Sequence, residues 1–309
     1  MVIYIKELED ENELISKKFP KFLKNICIYI RKYFNNITIK NIDENKKVYI
    51  IPNIEDKKIC KKMRRKVQKE KSDIHKTQLV LSNNLKKYID KFKDFNIIDG
   101  NEIKINLIEE ILRKIIKNNT KLELQDIYIL TNRYETKTIS VINKLVEKVK
   151  TINIITPEIE KYNIIESKIY KEKGINIIVA NNKKKSLRKA KIIVNMNFTK
   201  DEIKRYNINR SAIIINMLNE KISDLKSFDG IIINDIDIDF KESIKNYFTD
   251  NRIYKQFKSI ELYQSIENVK NEFDKKIKED KINIKNFYGT NGIICKNEIE
   301  NWQKSLTNL

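Results

Sequence analysis

The stretch DIYILTNRYETKTISVI, residues 126–142, decides how the chain is read. It opens as a short apolar strand carrying Ile127, Ile129 and Leu130, and it turns at Thr131 and Asn132. Beyond the turn Ile139, Ile142, Leu145, Val146 and Val149 recur at helical spacing, which predicts an amphipathic helix over 135–149. Downstream, INIITP (152–157), INIIVANN (175–182), KIIVNMNF (191–198), AIIINM (212–217) and GIIINDIDI (230–238) repeat the apolar run. Strands buried on both faces lose their polar alternation, so six such runs separated by helices predict a doubly wound parallel sheet.

Working towards the N-terminus, VYIIPN (48–53), TQLVLSN (77–83) and FNIIDG (95–100) read as strands of another α/β block. A helix and a strand (NITIKNID) precede them within the first forty or so residues. Leu107, Ile108, Ile111, Leu112, Ile115 and Ile116 form a helical stripe that reads as a helix linking two domains. After residue 240 the pattern turns helical, with Leu262, Ile266, Val269, Phe273 and Ile277 on one stripe. The expected organisation is an N-terminal α/β domain (1–118), a doubly wound domain (119–240) and a helical C-terminal segment (241–309) packing back on the first domain.

The chain has 309 residues and a formal net charge of +20. Of its 63 basic residues only nine are arginine, while alanine and proline occur three times each. Lysine, isoleucine and asparagine have AT-rich codons, so a biased genome accounts for much of this charge without selection for a partner. Arginine, the residue suited to bidentate phosphate contacts, is scarce. No apolar run reaches the roughly 18 residues of a membrane span, and the N-terminus has no basic leader, so a cytoplasmic protein without a membrane partner is expected. Cys27, Cys60 and Cys295 are far apart and contain no CxxC pair, which argues against a disulfide framework or a zinc site.

Residues 126–238, with KSLRKAKIIVNMNF as the best local match, resemble the Rossmann-like NAD(P)-binding domain of the shikimate dehydrogenase and glutamyl-tRNA reductase group. In the resemblance Asn195, Met196 and Asn197 hold the family's strand-end turn beside the cofactor. The glycine fingerprint of such domains should fall in LTNRYETKT, where Thr131, Asn132, Arg133, Tyr134 and Thr136 stand instead. Those glycines make the tight turn, let the backbone approach a pyrophosphate and let helix pack on strand. Side chains there push a diphosphate outward, although the helix N-terminus still offers N–H groups that Glu135 could occupy. After the second strand, where an acidic residue would hold the ribose, Thr156, Pro157 and Glu158 read as a helix start with proline at N1. The Asn-Val-Thr-x-Pro-x-Lys motif of shikimate dehydrogenases and the cysteine context of glutamyl-tRNA reductases are both missing.

Other chemistry is sparse. His75 is the single histidine, and Cys27 sits in an apolar helical stretch. Asparagine ends strand after strand, at Asn53, Asn83, Asn132, Asn181, Asn195, Asn216 and Asn234. A polar pocket or simple turn chemistry explains this, and the abundance of asparagine favours turns. The basic runs 61–71 and 183–191, read as helix faces, are the places where an anionic ligand or nucleic acid would bind. The glycines of FYGTNGII (287–294) fit a tight turn, with a ligand loop as the alternative.

The expectation is therefore a non-catalytic or cofactor-independent relative of NAD(P)-binding oxidoreductases, with no catalytic residue, metal or cofactor. A divergent NAD(P)-dependent dehydrogenase is the first alternative, using NAD or NADP. Its crevice would be lined by Thr131, Asn132, Arg133, Tyr134, Asn195 and Asn216. A binder of an anionic partner such as RNA is the second.

Overall fold

A computed structural model describes residues 1–8, 20–42, 46–70, 73–116, 121–239, 256–266 and 282–307. The chain divides into two compact units, Met1–Gly100 with Phe240–Lys281, and Asn101–Asp239 with Ile282–Leu309.

In the first unit five strands are ordered β2-β3-β1-β4-β5: β1 (Val2–Glu7), β2 (Thr38–Asn41), β3 (Lys46–Ile51), β4 (Gln78–Leu81) and β5 (Asn96–Ile97). All neighbours are parallel except the edge strand β2, which runs antiparallel to β3. Strand alternation sends Ile3 and Ile5 to one face and Val2 and Tyr4 to the other. The first pair packs with Ile59, Met63 and Val67 of helix α2 (Ile59–Lys69). The second packs with Ile28 of α1 (Lys21–Tyr33) and with Leu262 of α8 (Ser259–Ile266). Both faces are covered, which explains why β1 reads as VIYI without polar interruption. This central strand was not among those expected from the sequence, because its apolar run is short and is closed by Lys6 and Glu7. Of the C-terminal stripe, Leu262 and Ile266 pack against this sheet, whereas Val269, Phe273 and Ile277 lie outside the described residues.

The second unit is built on a six-stranded, wholly parallel sheet ordered β11-β10-β9-β6-β7-β8. Its strands are β6 (Asp126–Leu130), β7 (Thr151–Ile155), β8 (Ile177–Ala180), β9 (Ile192–Asn195), β10 (Ile213–Asn216) and β11 (Ile231–Ile233). The chain grows outward from β6 through β7 to β8, returns to the other side of β6 as β9, and grows outward again. Helix α5 (Thr136–Leu145) joins β6 to β7, and α6 (Ile159–Lys173) joins β7 to β8. The expectation of helices between all six strands fails on the other side. There the connections hold only α7 (Lys200–Ile203), and 183–189 is a series of turns rather than a helix.

Four further expectations are corrected. The run 230–238 is not one strand: β11 ends at Ile233, and β12 (Asp235–Asp239) pairs antiparallel with β13 (Asn283–Tyr288) in a separate two-stranded sheet. The C-terminal segment is thus not wholly helical, and its last part, β13 and α9 (Lys296–Thr307), belongs to the second unit. The stretch NEIKINLIEEILRKII (101–116), which carries the stripe, is not one linking helix but α3 (Asn101–Asn106) and α4 (Ile108–Ile116), broken at Leu107. Both helices pack on α5, so the boundary between units falls at Gly100 rather than after 118. Helix α5 ends at Leu145, and the expected last turn to Val149 is instead irregular.

Candidate functional site

In open parallel sheets, ligands bind beyond the carboxyl ends of the strands where the direction of growth reverses. Here that point lies between β6 and β9, and it is formed by the loops 131–135 and 196–199.

The 131–135 loop is held from beneath by side chains. Thr131, fully buried, donates its hydroxyl to the carbonyl of Arg133 at 2.8 Å. Tyr162, reaching up from α6, donates to the same carbonyl at 3.1 Å and lies 3.4 Å from the Thr131 hydroxyl. Thr138 of α5 completes this packed trio, 3.5 Å from Thr131. Burial pushes the Tyr162 phenol above its ordinary value, against the opposing effect of its bonds to Thr131 and Thr138. The space beneath the turn, which small residues would leave open, is filled.

From above, two backbone N–H groups of the loop are already engaged. Asn132 N–H donates to Oδ1 of Asn197 at 2.6 Å. Tyr134 N–H donates to the carboxylate of Glu158 at 2.5 Å. Glu158 also accepts from Lys161 at 2.7 Å, and these bonds, the Lys161 one foremost, hold its carboxyl below the usual range. Helix α6 begins after Glu158 as N-cap, so Pro157 stands before the cap and not at N1. Glu135, expected to occupy the start of α5, is its N-cap residue but makes no side-chain cap; its carboxylate pairs with Arg133. Arg133 and Tyr134 are exposed, and the Tyr134 ring rests 5.6 Å from that of Tyr162.

The Asn132 side chain points across to the second loop, donating to the Asn197 carbonyl at 3.3 Å and to the Glu202 carboxylate at 3.2 Å. Glu202 closes a capping box with Thr199 at the start of α7. Burial raises the Glu202 carboxyl, but its bonds from Thr199 and Asn132 outweigh this and lower it overall.

Asn195 and Asn216, expected to line the crevice, are buried and spend their amides on the fold. They are register partners at the ends of β9 and β10. Asn195 Nδ2 donates to Asn216 Oδ1 at 3.1 Å, and Asn216 Nδ2 donates to Asn234 Oδ1 at 3.1 Å. The same amides bind loop backbone: Asn195 with N–H and carbonyl of Phe198, Asn216 with the Glu220 carbonyl, and Asn234 with both groups of Ile222. Asn195, Asn216 and Asn234 therefore form a buried ladder. Sequence reading found the asparagines but not the ladder, and it missed Tyr162 and the clasping role of Glu158.

The remaining candidates are scattered. His75 is exposed in a turn, its backbone N–H bonded to Asp73. Cys60 donates its thiol to the Lys91 carbonyl, and burial pushes that thiol up, away from the reactive thiolate form. Cys27 is half-buried and Cys295 exposed. Of the run 61–71, residues 61–69 lie in α2, with Met63 and Val67 in the core and Arg64 paired with Asp94; 183–191 lies in the other unit. The turn Gly289–Gly292, closed by Gly289 N–H to the Gly292 carbonyl at 2.7 Å, borders a cleft of about 330 Å³ beside β11. Among the described residues no group of histidine, cysteine and carboxylate side chains could hold a metal ion, and no helix is long and apolar enough to cross a membrane. Compared with protein-family models and with curated proteins, the sequence matches none.

Proposed function

We propose that the two units are separate α/β domains and that the second is a Rossmann-like domain whose dinucleotide site the chain itself has closed. On this reading the protein is a non-catalytic or cofactor-independent relative of NAD(P)-binding oxidoreductases. The strand order supports the first part: counted from β6 it is 3-2-1-4-5-6, the order of dinucleotide-binding sheets. One observation carries the second part. The N–H groups of Asn132 and Tyr134, at the turn where a pyrophosphate would need bare backbone, are bonded to Asn197 and to the Glu158 carboxylate. Glu158 stands after the second strand, where a ribose-binding carboxylate would be expected, and its negative charge sits against the loop as an internal anion. A dinucleotide would have to displace that carboxylate, find room over the Thr131 and Tyr162 packing, and lose the ribose contact.

The test is a titration of the full chain with NADH and NADPH, followed by fluorescence and by calorimetry. The expected result is no saturable binding at ordinary cellular cofactor concentrations. Tight binding that Arg133→Ala abolishes would overturn the reading in favour of a divergent dehydrogenase in which the guanidinium replaces the backbone donors.

A further inference from the structure

Helix α1 packs on its sheet through Ile28, yet most of its large apolar side chains face away. Leu23, Ile26, Ile30 and Tyr33 are exposed and follow one another at intervals of three, four and three residues. That is the a/d spacing of a seam that receives a second helix. Exposed Tyr29 and the C-cap residue Phe34 widen it: Tyr29 stacks on Tyr33 at 6.2 Å, and Tyr33 meets Phe34 edge-on at 5.1 Å. This end of the helix is not frayed. Asn35 clamps it, donating to the Asn53 carbonyl at 2.8 Å and to Asp56 at 3.0 Å, while Lys62 donates to the Phe34 carbonyl at 2.8 Å. Charge is kept off the seam. With Leu23 at a, the flanking e and g positions hold Phe22, Cys27, Tyr29 and Phe34, all uncharged. The four basic positions, 21, 24, 31 and 32, fall at b, c and f on the Ile28 side, and Arg31 donates to the Thr38 hydroxyl of β2 at 3.1 Å.

We propose that the outer face of α1 is a dimer interface, pairing seam to seam with α1 of a second copy of this chain. Area supports this occupant. The six exposed side chains present on the order of 700 Å², more than the roughly 300–600 Å² of the largest apolar patch on a typical monomer. Two such strips face to face bury up to about 1,400 Å², within the roughly 1,200–2,000 Å² of specific, stable interfaces. Charge supports it too. Residues at e and g set which partner a paired helix takes, and here none of them repels a copy or calls for an oppositely charged chain. An anionic surface finds no cation on the seam. The clamped end and the anchor at Ile28 hold the helix in place before it pairs, so little ordering is left to oppose association.

The experiment is sedimentation velocity of the full chain across the micromolar range, where a dimer is expected. Ile30→Glu places a carboxylate from each copy inside the seam and should weaken association about a hundredfold, leaving a monomer with an unchanged circular dichroism spectrum. If that variant loses helix, Tyr33→Ser serves and should weaken association about tenfold. Lys32→Gln, on the Ile28 side, should leave the dimer intact. A monomer throughout the range, a dimer that survives the seam substitutions, or one broken as readily by Lys32→Gln would each overturn the proposal.

Discussion

The two halves of the parallel sheet in the second unit solve one problem in different ways. From β6 through β7 to β8 the chain crosses over by helices, α5 and α6, which satisfy their own backbone groups. From β9 through β10 to β11 it crosses by irregular loops in which α7 is the single four-residue helix. Those loops have N–H and carbonyl groups near the core, and Asn195, Asn216 and Asn234 supply the partners. An asparagine amide carries both a donor and an acceptor, so it can replace a missing stretch of backbone pairing. One half is ordered by periodicity, the other by three hydrogen-bonded side chains.

The largest effect should come from breaking that ladder. Asn216→Ala removes bonds to Asn195, Asn234, the Glu220 carbonyl and the Leu218 N–H at a position that is 1% exposed. At about 1 kcal/mol for each lost bond, the variant should be destabilised by about 4 kcal/mol. Chemical denaturation should show the transition at lower denaturant with an unchanged slope. A cost below about 1 kcal/mol would mean that the loops hold themselves and that the asparagines are incidental.

This contrast also divides what was legible in the sequence. The helical half announces itself: Ile142, Leu145 and Val146 recur at helical spacing and are buried as expected. The parallel strands were readable as Ile/Val runs for the same reason, since burial on both faces leaves a local mark. The asparagines were visible one by one, but their alliance depends on Asn195 and Asn216 being register partners, which no local pattern encodes. The candidate site was less legible still. Glu158 lies 24 residues from Tyr134, and Tyr162 lies 29 from Arg133, so the closure of the loop exists only once β6 and β7 are paired. Beyond β8 the connecting stretches lack that periodicity, and loops stand where helices are expected, with the four-residue α7 after β9 as the exception.

A smaller effect should follow from loosening the helical half where Tyr162 meets the loop. Tyr162→Phe keeps the ring and deletes the hydroxyl that donates to the Arg133 carbonyl. Thr131 still donates to that carbonyl, so the loss should be about 1 kcal/mol, well under that of Asn216→Ala. Denaturation of the two variants side by side would reverse the comparison if Tyr162→Phe proved the costlier.

The smallest effect is confined to the loop and is set by pH. The Glu158 carboxyl is held below the usual range, first by Lys161 and then by the Tyr134 N–H. A carboxyl whose value is lower in the folded chain than in the unfolded one contributes above the unfolded value and is lost as pH falls through the folded value. The clasp on the loop should therefore persist from neutral pH down through the ordinary glutamate range and release only in stronger acid. The backbone amide resonance of Tyr134 reports this directly, because its proton is the one donated. Its shift should stay constant on acidification and then move with a midpoint below that of an unperturbed glutamate. Glu158→Gln keeps an acceptor without a titrating charge, so the same resonance should lose this step. A midpoint at or above the ordinary glutamate value would mean that the carboxylate is not committed to the loop, and the internal anion would no longer explain why the turn is closed.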